Sequence, residues 1–251
     1  MTTPPYDHFE GKTVVDHLKE ARARGAMASA EIHGTEMPGH HAAAADATKE
    51  TTLALLIVFA ISAHFFKEPK TLVILVLFSC GWLIWKTGRS ALLGWARMER
   101  LHRVIEEERW EIEHHRQQER EELTELYRAK GLQGKLLEEV IDVLMADDNR
   151  LLTVMLEEEL GLTLEAYEHP LKQASGAALG TFCSASLLLG AYFVSPMFGI
   201  PLMAGCLLIF ATALAAKLER NRPLYAIVWN LALALLASGA VYFIGQLIID
   251  G

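Results

Sequence analysis

Four glutamates and a histidine share one face of a long charged segment in the middle of the chain. These residues are Glu108, Glu111, Glu119, Glu122 and His115. At about 100° per residue, helical periodicity places the four glutamates within an arc of roughly 80°, and His115 falls in the same arc. Carboxylates held together repel one another and lose hydration, so such clusters usually share a cation or protons. The spacing therefore predicts a site that handles metal ions.

The apolar residues of this segment recur at steps of three and four between Met98 and Leu126. Continued through its gaps, the rhythm lands on Glu108, His115, Glu119 and Glu122, where a packing helix would carry leucines. The acids would then face a partner helix. A solvated helix rich in acids remains the alternative, and His115, which stands beside His114, is a ligand, a pH-sensing neighbour or neither.

A later helical segment adds Met155 and Glu159, which lie four residues apart and therefore on one face. Packed against the first helix, they could close a cage over its glutamates. Carboxylates suit Mn²⁺, Fe²⁺ and other divalent ions, and a thioether favours softer transition metals over Ca²⁺ or Mg²⁺. Plain core packing remains the alternative for Met155.

The elements around this site are apolar and long. Of the 251 residues, 52% are hydrophobic, yet residues 96–170 hold 20 of the 31 acids and 10 of the 23 Lys and Arg, a balance of −10 in a chain of net charge −8. Membrane spans are predicted at about 51–66, 71–86, 174–194, 197–216 and 224–249. The first two are shorter than the roughly 20 residues that a span needs. Either the first extends back through 42–47 and the second forward through 90–95, or the pair forms a re-entrant hairpin. We predict an all-α membrane protein with five transmembrane helices and a three-helix cytoplasmic insert between the second and third. The insert helices are predicted at about 90–129, 135–145 and 149–160, with Gly131 ending the first and Asp147 or Asp148 capping the third.

Four parts of the chain follow from this pattern: a partly mobile cytoplasmic segment (1–50), transmembrane helices 1 and 2 (51–95), a metal-binding helical domain (96–170) and transmembrane helices 3 to 5 (171–251). Basic residues follow the second and fourth spans. The positive-inside rule therefore predicts a cytoplasmic N-terminus and insert, with the C-terminus on the far side of the membrane. The acidic insert repels nucleic acid. We find no nucleophile motif, phosphate loop or HExxH, so we predict that the protein is not an enzyme.

The N-terminal segment has two features of its own. A short amphipathic helix is predicted at about 11–24. His33, Glu36, His40 and His41 then form a loose cluster, which is either a metal-scavenging tail or a disordered linker.

Two stretches, EREELTELYRAKGL (119–132) and EEVIDVLMADDNRLLTVMLEEELGL (138–162), resemble the vacuolar iron transporter family. The resemblance implies five membrane helices, a three-helix cytoplasmic metal-binding domain, a homodimer, and export of Fe²⁺ or Mn²⁺ from the cytosol in exchange for protons. Zn²⁺ is a further candidate for the bound substrate. The family's metal ligands fall here on Glu108, Glu111, Glu119, Glu122, Met155 and Glu159. A second family methionine corresponds to Leu156.

The resemblance fails in the first two membrane segments. The first, TTLALLIVFAISAHFF, contains no acid, and Asp46 and Glu50 only precede it. A bare divalent ion cannot cross a low-dielectric core without ligands. Three functions therefore stay open: a transporter of divalent metal, a membrane-anchored metal-binding or metal-sensing module without transport, and a structural adaptor whose acidic helix pairs with a partner.

Overall fold

The structure is a computed structural model that describes residues 13–29, 39–66, 68–162, 168–219 and 221–250. These residues form nine α-helices and no strand. The helices are α1 (Val14–Ser29), α2 (His40–Phe65), α3 (Glu68–His114), α4 (Arg116–Ala129), α5 (Gly134–Met145), α6 (Asp148–Glu158), α7 (Pro170–Val194), α8 (Gly199–Leu218) and α9 (Pro223–Asp250). They divide into an acidic unit, within 1–32 and 95–167, and a membrane unit, within 33–94 and 168–251.

Four of the described helices are long and apolar enough to cross a membrane: α3, α7, α8 and α9. The remaining predicted span, 51–66, is the first in the chain and lies in α2, which does not meet this measure. The reason lies in the start of the helix. It begins at His40, and its first half carries Asp46, Lys49 and Glu50, so only the second half is continuously apolar. By this measure the structure supports four spans where the sequence predicted five.

In the membrane unit, α2 packs closely against α7. The two helices meet through small buried residues, including Ala43, Ala47 and Ala177. Gly180 permits the approach, because a Cβ added there would lie 2.2 Å from the carbonyl oxygen of Ala44. Small residues that let backbones approach are the usual basis of helix packing in membranes. The helix α2 also contacts α8 and α9.

Ion pairs hold the polar half of α2 within the same unit. Lys86 of α3 is 1% exposed, and its Nζ lies 2.8 Å from Oε2 of Glu50. Asp46 pairs with Lys49 at 2.9 Å. The first helix of the membrane unit therefore does carry acids, since α2 starts well before the apolar run that the sequence marked as the span.

The acidic unit comprises α1, α4, α5, α6 and the last part of α3, from Trp95 to His114. Its core is formed by leucines and isoleucines of α3 to α6, with Ala21 contributed by α1. Local signals set the helix ends. Gly131 and Gly161 adopt the left-handed region at φ +97° and +66°, as helix-terminating glycines do. Asp147 caps α6 by accepting a hydrogen bond from the backbone N–H of Arg150 at 2.8 Å.

Candidate metal centre

The glutamates of the sequence motif come from two helices, not one. The sequence predicted a single helix over about 90–129, but the helix ends at His114 and a new one begins at Arg116. Between them, His115 has φ −124° and ψ 32°, which is not helical. Its carbonyl accepts the N–H groups of Gln118 and Glu119, at 2.8 and 3.2 Å, and so starts α4. Glu108 and Glu111 therefore belong to α3, and Glu119 and Glu122 belong to α4.

The buried face of α4 carries two glutamates and two leucines: Glu119, Glu122, Leu123 and Leu126. Both leucines are buried, and Leu123 belongs to the apolar core of the unit. Their burial sets which face of the helix points inward. The carboxylates are therefore carried into the interior by the same face that buries the leucines. This is the arrangement that the seam pattern predicted for these two residues.

Two overlapping groups of side chains bring candidate ligand atoms together. In the first, Glu108, Glu119 and Glu159 each place one carboxylate oxygen within 4.8 Å of the others. In the second, an imidazole nitrogen of His17 and one carboxylate oxygen each of Glu122 and Glu159 also lie within 4.8 Å of one another. All five side chains are buried, and Glu159 belongs to both groups. Within the described residues, the acidic unit thus gathers four carboxylates and an imidazole in one interior region, which we call the acidic centre.

Glu119 belongs to the acidic centre and is fully buried. Loss of hydration raises its pKa most, and the neighbouring charges of Glu108, Glu122, Glu159 and Glu111 raise it further, to about 11. A proton or a metal cation on this carboxylate therefore lowers both the cost of burying its charge and the repulsion from the neighbouring acids.

The remaining predicted residues lie around these groups. Glu111 is half-buried and lines a small pocket with Val104, Glu107, Glu108 and Leu160. Met155 is fully buried in the apolar core. One turn further on, the N–H of Glu159 donates to the carbonyl of Met155 at 2.9 Å, which holds Glu159 at the end of α6.

Among the described residues, His115 is not a member of either group of candidate ligands that defines the acidic centre. It occupies the junction between α3 and α4, with its ring 5.4 Å from that of Trp110. The helical arc alone placed it with the glutamates, and the break in the helix at this residue removes it from that arc.

The residue that the sequence reasoning missed is His17 of α1. It is 6% exposed, and its Nε2 lies 3.6 Å from Oε1 of Glu122 and 3.8 Å from Oε1 of Glu159. The one available signal was local: His17, Leu18 and Ala21 line up on one face of the predicted amphipathic helix, so the histidine stands in an apolar row.

The His-rich cluster is only partly described. His33 and Glu36 lie outside the described residues. His40 begins α2, where its backbone N–H donates to Oε2 of Glu168 at 2.7 Å and its Nδ1 lies 2.8 Å from Oε1. The rings of His40 and His41 lie 3.9 Å apart. His40 therefore binds Glu168 at the start of α2, a role that neither interpretation of the sequence predicted.

The acidic centre offers carboxylate oxygens, an imidazole nitrogen and, in the adjoining core, a thioether sulfur. Oxygen ligands accept any hard or borderline divalent ion, and a nitrogen among them shifts the preference towards first-row transition metals. Four buried carboxylates also supply the negative charge that offsets the cost of bringing a dication out of water. The residues present therefore fit a divalent transition ion.

Helices able to span a membrane, joined in one chain to a buried carboxylate cluster, define an integral membrane protein with an acidic centre. The family model for the VIT family, the vacuolar iron transporters, matches residues 95–246, more than half of the chain. The chain belongs to this family, whose members are membrane metal transporters. Comparisons with curated proteins and with solved structures found no match. The family match leaves α1, α2 and the first part of α3 outside it.

Proposed function

We propose that this protein transports Fe²⁺ or Mn²⁺ out of the cytosol, and that the acidic centre captures the ion before transport. The observation that carries the proposal is the convergence of Glu108, Glu119 and Glu159, all buried, in a member of a metal-transporting family. Burying three acids side by side destabilises a fold unless something neutralises them. A metal ion that the protein is built to bind supplies that neutralisation.

In this proposal the six residues predicted from the sequence act together. Glu108, Glu119, Glu122 and Glu159 are carboxylate ligands within the centre. Glu111, beside the pocket, attracts incoming cations from solvent. Met155, which is fully buried one helical turn before Glu159, adds through its sulfur a preference for a transition metal over Mg²⁺ or Ca²⁺.

The proposal also includes the assembly and the membrane orientation. Protons move against the metal, and two copies of the chain form a homodimer in the lipid bilayer. The apolar half of α2 crosses the bilayer as a fifth span, so the N-terminus and the acidic unit both face the cytosol. Basic residues support this orientation, because Lys217 and Arg222 flank the turn between α8 and α9. We also propose the four-part division made from the sequence, with metal binding in residues 96–170.

A second candidate function is a membrane-anchored module that binds or senses metal without moving it. Its support is the ion pair between Glu50 and the buried Lys86. An acid already neutralised by an internal lysine is a poor ligand for a passing dication, since the lysine must first be displaced. Residues 40–94 also lie outside the family match.

Transport into proteoliposomes separates the two candidates. The full-length chain is reconstituted, and uptake of Mn²⁺ or Fe²⁺ is followed with the vesicle interior at lower pH than the exterior. The transporter predicts uptake that slows when the proton gradient is collapsed and that is largely lost in Glu119→Gln/Glu122→Gln. The control, Glu121→Gln/Glu138→Gln, removes the same charge from exposed positions and should transport normally. Metal binding without any uptake would contradict transport and favour the module.

A further inference from the structure

The first helix of the acidic unit has one narrow packing face, and a histidine stands in it. Thr13 starts α1 by accepting the backbone N–H of Asp16 at 3.2 Å. In the first two turns, the buried side chains are His17, Leu18 and Ala21, while their neighbours are exposed. A single helix this short and polar is marginal by itself, so its contact with the unit stabilises it. Part of that contact is made by an imidazole.

The histidine reaches the acidic centre from an element that contributes no carboxylate to it. The helix α1 packs against α4, and Ala21 enters the apolar core. Farther along α1, Arg22 donates to the backbone carbonyl of Glu158, at the end of α6, at 3.5 Å. These contacts hold α1 over the two helices that carry Glu122 and Glu159, and His17 lies where they meet.

The separations fit shared coordination. Two ligand atoms bonded to one ion at about 2.1 Å lie roughly 3.0–3.4 Å apart in tetrahedral or octahedral geometry. In the structure, Nε2 of His17 lies 3.6 Å from Glu122 Oε1 and 3.8 Å from Glu159 Oε1. A contraction of a few tenths of an ångström brings Nε2 of His17 to coordination distance from both carboxylate oxygens, and the three candidate ligand atoms already lie within 4.8 Å of one another.

We propose that His17 is a nitrogen ligand to the metal ion of the acidic centre, and that α1 is a cover that the bound ion holds in place. The inference rests on the proposed metal binding by Glu122 and Glu159. It adds a ligand from outside the family match, which begins at residue 95. An imidazole makes the site favour Mn²⁺, Fe²⁺ and Zn²⁺ over Mg²⁺ and Ca²⁺, which prefer oxygen. Ion selectivity in this chain is therefore set partly by α1.

Pulsed electron paramagnetic resonance of bound Mn²⁺ tests the proposal directly. The full-length chain in detergent and a nitrogen-free buffer is loaded with Mn²⁺, and coupling of the ion to a ¹⁴N nucleus is recorded. We expect nitrogen coupling in the wild type and its loss in His17→Gln, which still binds Mn²⁺ through carboxylates. His115→Gln is the matched control and should keep the coupling, because that ring lies at the α3–α4 junction.

The outcomes separate this inference from the proposed function. Bound Mn²⁺ without nitrogen coupling in the wild type, or coupling that persists in His17→Gln, would overturn the role of His17 and leave metal binding intact. If the wild type binds no Mn²⁺, the proposed metal site fails, and the inference fails with it.

A second readout distinguishes a ligand from a merely packing residue. His17→Gln should weaken Zn²⁺ binding by at least about tenfold, and Mg²⁺ binding much less. Added Zn²⁺ should slow hydrogen exchange of α1 amides in the wild type but not in His17→Gln. Equal loss of affinity for both ions, with unchanged protection of α1 by Zn²⁺, would show that His17 only packs.

Discussion

Replacing Glu119 by glutamine should stabilise the metal-free acidic unit while it impairs metal binding. The folded-state pKa of Glu119 is raised to about 11, first by burial and then by the neighbouring acids. An unfolded glutamate has a pKa of about 4.3. Near neutral pH, folding must therefore capture a proton that the unfolded chain has released. Glutamine has nearly the shape of a protonated glutamic acid and needs no proton.

The sign and size of the effect follow from proton linkage. A raised folded-state pKa gives stability that is fully present below about pH 4.3 and is lost as the pH rises towards the folded value, by up to about 1.4 kcal/mol for each pH unit. At pH 7 the ionisation of Glu119 lowers the free energy of unfolding by at most about 4 kcal/mol relative to low pH. Between pH 6 and pH 8 it raises the equilibrium constant for opening by at most about 100-fold. Glu119→Gln should recover much of this lost stability, and the stability of the variant should depend less on pH.

Hydrogen exchange of the full-length chain, followed by mass spectrometry with a metal chelator present, measures the effect in the right helix. Amides of α4, from Arg116 to Ala129, report its opening after correction for the intrinsic pH dependence of exchange. The wild type should lose protection from pH 6 to pH 8, and Glu119→Gln should lose much less. Glu121→Gln, on the exposed side of the same helix, should behave as the wild type. Protection that falls equally in all three proteins would show that the proton on Glu119 does not control the opening of α4.

Two further predictions concern the membrane unit. Gly180→Ala should lower the free energy of unfolding in detergent by about 2 kcal/mol or more, because the new Cβ would lie 2.2 Å from the carbonyl of Ala44. Gly190→Ala, on the same helix with open space around it, should melt like the wild type, and equal melting of both variants would argue against the close packing. At Glu168, partial burial raises the pKa, but hydrogen bonds from Lys172 and His40 outweigh it and lower the pKa to about 2. The wild type should therefore lose about 1 kcal/mol of stability as the pH falls from about 4.5 to 2, and Glu168→Gln should lack this step in thermal melts.

Local chemistry made much of the acidic unit predictable. A glycine after a charged helix and an aspartate before the next one mark helix ends through contacts within a few residues. Gly131 and Asp147 accordingly end and begin helices where the sequence predicted. The seam pattern predicted that Glu119 and Glu122 would face inward, because apolar and acidic residues shared one helical period. Both are buried.

The failures have a different origin, because they depend on contacts between distant segments. The break at His115 has no proline or glycine to announce it, and the pattern stays helical on both sides. The surface against which α1 packs is decided by α4 and the core, so His17 could not be assigned to the acidic centre from its own neighbourhood. The extension of α2 back to His40 was an alternative that the sequence left open, and contacts decide it, because Lys49 and Glu50 pair with Asp46 and Lys86.

The most direct test of the acidic centre is equilibrium binding of Mn²⁺ to the purified full-length chain. If the acidic centre holds the ion, Mn²⁺ binds saturably to the wild type, at least about tenfold more weakly to Glu119→Gln/Glu122→Gln, and with unchanged affinity to Glu121→Gln/Glu138→Gln. Equal affinity in the wild type and Glu119→Gln/Glu122→Gln would contradict metal binding by the acidic centre, because the buried carboxylates would then hold no metal.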